Sequence, residues 1–65
     1  MVTIKLKHRL TERQIAWLSV NVGERTHYLN MSIGGKGWRS TYQRSEWVLR
    51  FDDDRYASWF MLKFS

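Results

Sequence analysis

Cysteine is absent from the 65 residues. That removes disulfides and thiolate zinc sites, the usual supports of very small secreted domains, and leaves hydrophobic packing or self-association to hold the fold. A chain this short buries only about 60% of the surface its unfolded form exposes, so a single small domain, 1–65, with a modest core is expected. Long hydrophobic runs are missing as well. The apolar run WFML is far too short to span a bilayer, and MVTIKLKHRL holds no apolar segment of signal-peptide length. These absences predict a soluble intracellular protein with no membrane contact.

Catalytic groupings are equally scarce. His8 and His27 are the only histidines, no G-x-S-x-G or H-E-x-x-H occurs, and no thiol can act as a nucleophile. Glu12, Glu24 and Glu46 are scattered and form no paired-carboxylate site. Asp52, Asp53 and Asp54 stand consecutively, without the alternating spacing of a calcium loop. They suit the N-cap and first turn of a helix, where negative charge meets the positive end of the dipole. The expectation is a protein that is not an enzyme and has no cofactor and no metal site.

What is present is positive charge and aromatic bulk. Eleven Lys and Arg against six Asp and Glu give a formal charge of +5, which favours nucleic acid, an acidic protein surface or an anionic membrane without choosing among them. Four Trp, three Tyr and three Phe are a heavy load for so small a core, so some rings are expected near the surface.

The opening VTIKLK alternates, with Val2, Ile4 and Leu6 on one face and Thr3, Lys5 and Lys7 on the other, as in a half-buried strand. LTERQI reads as a helix start, with Thr11 and Gln14 as a capping box, Leu10 stapled to Ile15, and Gly23 as a left-handed stop. Ile15, Leu18 and Val22 line one side of that helix. HYLNMSI, WRSTY and EWVLRF read as three further strands. In the closing DDDRYASWFMLKFS, Ala57, Phe60, Met61 and Phe64 form a helical stripe. The fold class is α+β in two layers, an antiparallel sheet of three or four strands with two helices on one face, in the order β-α-β-β-β-α. The expected core is Ile4, Leu6, Ile15, Leu18, Leu29, Met31, Trp47, Leu49, Phe51, Phe60, Met61 and Phe64.

The stretch IGGKGW asks whether it cradles a phosphate or turns the chain. It lacks the Lys-Ser/Thr ending of a P-loop and the spacing of a dinucleotide fingerprint. Gly34-Gly35-Lys36-Gly37 satisfies the G-x-x-G of KH domains, but that loop joins two helices, and strand-like segments flank it here. A hairpin turn that needs positive φ is the simpler account. The order helix, three strands, helix also matches a double-stranded-RNA-binding domain. Asp52, Asp53 and Asp54 fall where that domain grips phosphates, so the match is topological only.

Two candidate surfaces remain. Arg13, Trp17 and Val20 on the first helix, and Arg55, Trp59 and Leu62 on the last, repeat one spacing opposite the core stripes. Arg over Trp is a cation-π pair, and both residues are favoured in binding hot spots; alternatively the two helices pack against each other there. The second candidate is a basic set, Lys5, Lys7, Lys36, Arg39 and Arg50, suited to phosphates but short of the rings that single-strand recognition uses.

From Gly34-Gly35-x-Gly37-Trp38 through Trp47, Leu49, Phe51, Asp53, Ala57, Phe60, Leu62 and Phe64, the last half of the chain resembles a class of small uncharacterised proteins of tailed bacteriophages. In that class a Gly-Gly-x-Gly-Trp turn precedes a strand and a closing helix. The resemblance implies a phage origin and the cytoplasm of an infected bacterial host, and it transfers no catalytic residue. With the composition, it points to a non-enzymatic accessory protein that binds and modulates an acidic host or phage protein through a basic, Trp-rich surface. The alternative is a nucleic-acid-binding protein using the basic sheet face and the glycine-rich turn. A homo-oligomer through the Trp-bearing helix faces would add to the small core.

Overall fold

The computed structural model describes residues 2–64. In β1 (Val2–Leu6) the alternation holds, with Val2, Ile4 and Leu6 half-buried and Thr3 and Lys5 exposed. Thr11 caps α1 (Glu12–Asn21): its hydroxyl accepts from the Gln14 N–H at 3.2 Å, and the Gln14 side chain accepts from the Thr11 N–H at 2.9 Å. Gly23 is not the left-handed stop expected, for the helix closes through Val22 in a right-handed conformation. Gly23 is needed for space, because a Cβ there would drive into the Lys36 carbonyl.

The sheet has five strands, not three or four, in the order β1-β5-β4-β3-β2, and every neighbouring pair is antiparallel. The difference lies in HYLNMSI, which is not one strand. β2 (Arg25–Tyr28) turns at Leu29, Asn30 and Met31 into β3 (Ser32–Gly35), and the Leu29 N–H donates to the Ser32 carbonyl at 2.7 Å. An alternating pattern with apolar residues in the turn looks the same whether the chain runs straight or folds back. Leu29 and Met31, expected in the core, are therefore exposed at the hairpin tip. Gly34 and Gly35 pair within β3 opposite Arg39 and Trp38, and the turn narrows to Lys36 and Gly37, the latter at φ 85°. β4 (Trp38–Gln43) and β5 (Glu46–Phe51) follow, joined by the two-residue turn Arg44-Ser45. With four strands between the helices, the three-strand order of a double-stranded-RNA-binding domain is not reproduced.

Asp53 caps α2 (Asp54–Lys63) by accepting from the Arg55 N–H at 2.9 Å. Both helices cover one face of the sheet, α1 towards β2 and α2 over β1 and β5. α1 starts at the end of the sheet where β1 finishes, and α2 starts where its antiparallel neighbour β5 finishes, so the two helices run in opposite directions. Between the layers lie Leu10, Ile15, Leu18, Ile33, Trp38, Leu49, Phe51, Ala57 and Phe60. Ile4, Leu6 and Trp47 are only half-buried, and Met61 turns outward at 54% exposure. Met61 leaves the core because a two-helix layer over a narrow sheet has only one sheet-facing stripe, and Ala57, Phe60 and Phe64 fill it.

Candidate functional site

Among the described residues, no helix or strand lies over the face of the sheet away from the helices. Strand alternation and register put Thr3, Arg50, Arg39 and Gly34 in one row across β1, β5, β4 and β3, and Lys5, Val48, Thr41 and Ser32 in the next. Arg39 and Arg50 are thus direct cross-strand partners, an arrangement of like charges that destabilises a sheet unless something anionic joins them. Neither guanidinium has a hydrogen bond or ion pair among the described residues. Thr3, Arg39, Thr41, Gln43, Val48 and Arg50 line a shallow depression of about 280 Å³. Val48 is only 7% exposed with no helix above it, so the aliphatic stems of its long neighbours lie across it and hold their charged ends outward.

His27 lies beside the same face. A Cβ on Gly34 would come 2.5 Å from its Cε1, so the missing side chain makes room for the ring, which hydrogen-bonds Ser32 Oγ at 2.9 Å. Lys36 and Lys7 stand apart from the cluster. Lys36 is on the β3–β4 turn, and Lys7 lies just past the end of β1. Apart from the His27 imidazole, no ring faces outward from these rows: Tyr28 pairs with Ile33 on the helix side.

The glycine-rich stretch is a clamp. Trp38, 2% exposed, donates its indole N–H to the Gly23 carbonyl at 2.7 Å, the Lys36 N–H donates to the Glu24 carbonyl at 3.1 Å, and the Asp52 N–H donates to the Gly37 carbonyl at 3.1 Å. These bonds fasten the end of α1 and the start of α2 to the turn. They also engage the Lys36 N–H that a phosphate cradle would need free.

On the helix layer the two expected triplets separate. Trp17 is half-buried, meeting Trp59 at 5.2 Å, Phe60 at 5.9 Å and Phe64 at 5.9 Å, all edge to face. Trp59 stays 48% exposed, while Val20 at 84% and Leu62 at 80% project into solvent. Arg55 does not lie over Trp59; it forms a bidentate pair with Asp53, Nη2 to Oδ2 at 2.7 Å. That pairing pulls the Asp53 carboxyl down to about 2 and raises the Arg55 guanidinium. Arg13 is exposed near Glu12, Lys63 and Phe64 around a groove.

Sequence reasoning missed Arg9. It spans from the loop before α1 to the β2–β3 hairpin, its guanidinium 4.7 Å from the Tyr28 centroid and 5.8 Å from that of Trp47, with Nη2 donating to the Leu29 carbonyl at 3.2 Å. Arg25 approaches Tyr28 as well, at 5.2 Å. Spacing offers no signal for the Arg9 contacts, which join residues far apart in the chain. Thr3, Thr41 and Gln43 were findable, since they share the alternation that selected Lys5 and Arg39.

Among the described residues there is no group of three or more His, Cys, Asp or Glu that could hold a metal, and no helix is long and apolar enough to cross a membrane. No protein family, curated protein or solved structure matches this chain.

Proposed function

We propose that this is a non-enzymatic binding protein whose open sheet face engages the phosphate backbone of nucleic acid. The observation that carries the reading is the Arg39–Arg50 cross-strand pair, with Lys5 one row away and no counter-charge bonded to either guanidinium. Two like charges in register cost stability, and an anion bridging them reverses the sign of that interaction. Threonine hydroxyls and the Gln43 amide around them supply neutral donors of the kind that position a phosphate backbone. Without Phe, Tyr or Trp on the face, and with the His27 imidazole bonded to Ser32, the contacts are to backbone rather than stacked bases, so recognition is by charge and shape and is indifferent to sequence.

Titration of labelled duplex DNA and RNA tests this. With Lys5, Arg39 and Arg50 as three phosphate contacts, affinity falls about 40-fold between about 50 and 200 mM salt, and Arg39→Ala flattens the log–log slope by about 0.9. Absence of binding at the lower salt, or binding that ignores Arg39→Ala and Arg50→Ala, overturns the reading. Competition by polyglutamate as strong as that by nucleic acid would assign the face to an acidic protein instead.

The protein-partner reading rests on a different observation, the half-exposed Trp59 between Val20 and Leu62. Together with the phage resemblance, it describes an accessory factor acting in an infected cell. Capture of one stoichiometric host protein that Trp59→Ala releases would favour it.

A further inference from the structure

The two edges of the sheet differ. β2, at one edge, has four residues, its pairing shifts register between Arg25 and His27, and the groove that touches it holds Glu12 and Glu24. Short length and a bulge are common ways of closing an edge to further strands. β1, at the other edge, has five residues in unbroken register with β5.

The ladder shows which backbone groups of β1 are unused. The Asp52 N–H donates to the Gly37 carbonyl at 3.1 Å, one step beyond the Phe51 and Trp38 pair. Hydrogen-bonded pairs alternate along antiparallel strands, so Asp52, Arg50 and Val48 direct their backbone groups to β4, and Phe51, Leu49 and Trp47 direct theirs to β1. Val2, Ile4 and Leu6 receive them. The N–H and C=O of Thr3 and Lys5 therefore point away from the sheet, and they have no partner among the described residues.

Between this strand and α2 runs an apolar groove of about 470 Å³, lined by Ile4, Leu6, Phe60, Met61 and Phe64. Met61, the side chain that turned away from the core, is exposed there. Lys5, Lys7 and His8 also border this groove and no carboxylate does, since Glu12 lines a neighbouring one with Arg13 and Lys63. Neither Lys5 nor Lys7 has a hydrogen bond or ion pair among the described residues.

We propose that the free edge of β1 takes a sixth strand from another protein, an extended segment that alternates acidic and apolar side chains. Its backbone pairs with Thr3 and Lys5. Side chains opposite Ile4 and Leu6 enter the groove against Met61, and a carboxylate opposite Lys5 meets that ammonium on the other side of the sheet. Main-chain hydrogen bonds supply the affinity of such strand addition, and the pockets for alternate side chains supply its specificity. A second copy of this chain brings the same lysines and the same charge of +5 to the edge, and is disfavoured. The inference does not rest on what the sheet face binds, because Arg39 and Arg50 lie on β4 and β5, inside the edge.

The probe is a fluorescent peptide of about seven residues alternating Glu and Val, long enough to pair with all of β1. Fluorescence anisotropy at about 150 mM salt should show saturable binding, at least about tenfold tighter than that of a peptide of the same composition in two blocks. Amide exchange at Thr3 and Lys5 should slow in the complex. Thr3→Pro removes one outward N–H at a position where an edge strand tolerates proline, and it should abolish binding. Met61→Asp, at a residue 54% exposed, should weaken binding at least about tenfold with the fold intact. Arg39→Ala should leave it within about twofold, which separates this site from the sheet face. No binding up to about 1 mM peptide overturns the inference, as does equal binding of the block peptide or of Met61→Asp. Binding that leaves Thr3 and Lys5 exchanging as in the free chain overturns it too, and protection of those amides that rises with protein concentration alone would give the edge to a second copy instead.

Discussion

Arg39 and Arg50 face each other across neighbouring strands with no carboxylate between them, an arrangement that weakens the free protein at the point where it would hold an anion. Arg39→Glu turns the repulsion into a cross-strand ion pair and should stabilise the unliganded fold by about 0.5 kcal/mol, while abolishing duplex binding. Urea denaturation and the binding titration read the two effects separately. A variant both weaker in binding and less stable would show that Arg39 serves the fold.

The aromatic cluster between the helices predicts an order of damage. Phe60→Ala removes a ring that is 4% exposed and should cost about 3 to 5 kcal/mol, and Trp17→Ala, half-buried, about 3 kcal/mol. Trp59→Ala loses mainly one edge-to-face contact and should cost the monomer about 1 kcal/mol. Urea denaturation of each variant against the wild type reads these losses. Equal losses at Trp59 and Phe60 would place both rings in the core.

Glycines 23 and 34 are close to their neighbours for different reasons, and alanine separates them. At Gly23 the obstacle is the Lys36 backbone, which cannot move without opening the β3–β4 turn, so Gly23→Ala should cost about 3 kcal/mol. At Gly34 the obstacle is the His27 ring, which can rotate off Ser32, and the cost should be about 1 kcal/mol. Thermal midpoints in the reverse order would refute this.

The β4–β5 turn holds Arg44 at φ 52° and Ser45 at φ 65°, both left-handed and neither glycine. Two such residues in a two-residue hairpin are the pattern that Asn-Gly satisfies without strain. Ser45→Gly should therefore raise stability by about 1 kcal/mol, as a shift in denaturation midpoint without a change in slope.

The Asp53–Arg55 pair sets an acid limb. Asp53 titrates at about 2 in the folded chain against its ordinary 3.8, so its contribution is complete above the higher value and is lost as pH falls towards the lower. Asp53→Asn keeps a capping side chain but no charge, and its stability should vary less between pH 4 and pH 2 than that of the wild type. Identical acid profiles would show that the pair contributes nothing.

Both helices, their N-caps and the strands β1, β4 and β5 were legible because each rests on a local rule: Thr11 with Gln14, Asp53 at a helix start, Val2, Ile4 and Leu6 in alternation. The hairpin at Leu29–Met31 was not, since apolar residues at an exposed turn imitate a strand. The basic row was half legible. Alternation selected Lys5, Arg39 and Arg50, but that Arg39 and Arg50 are partners follows from register, which the two-residue turn at Arg44-Ser45 fixes. Trp17 and Trp59 share a spacing in the sequence, yet the first is half-buried and the second exposed, because the antiparallel helix pairing turns one ring inward.

β1 precedes every other strand, and among the described residues its only sheet partner is β5, the last strand in sequence. During synthesis β2 to β5 can zip as successive hairpins between near neighbours, whereas β1 waits until Phe51 has left the ribosome. For that interval Val2, Ile4 and Leu6 are an unsatisfied sticky edge, and the lysines alternating with them act as gatekeepers against pairing with another nascent chain.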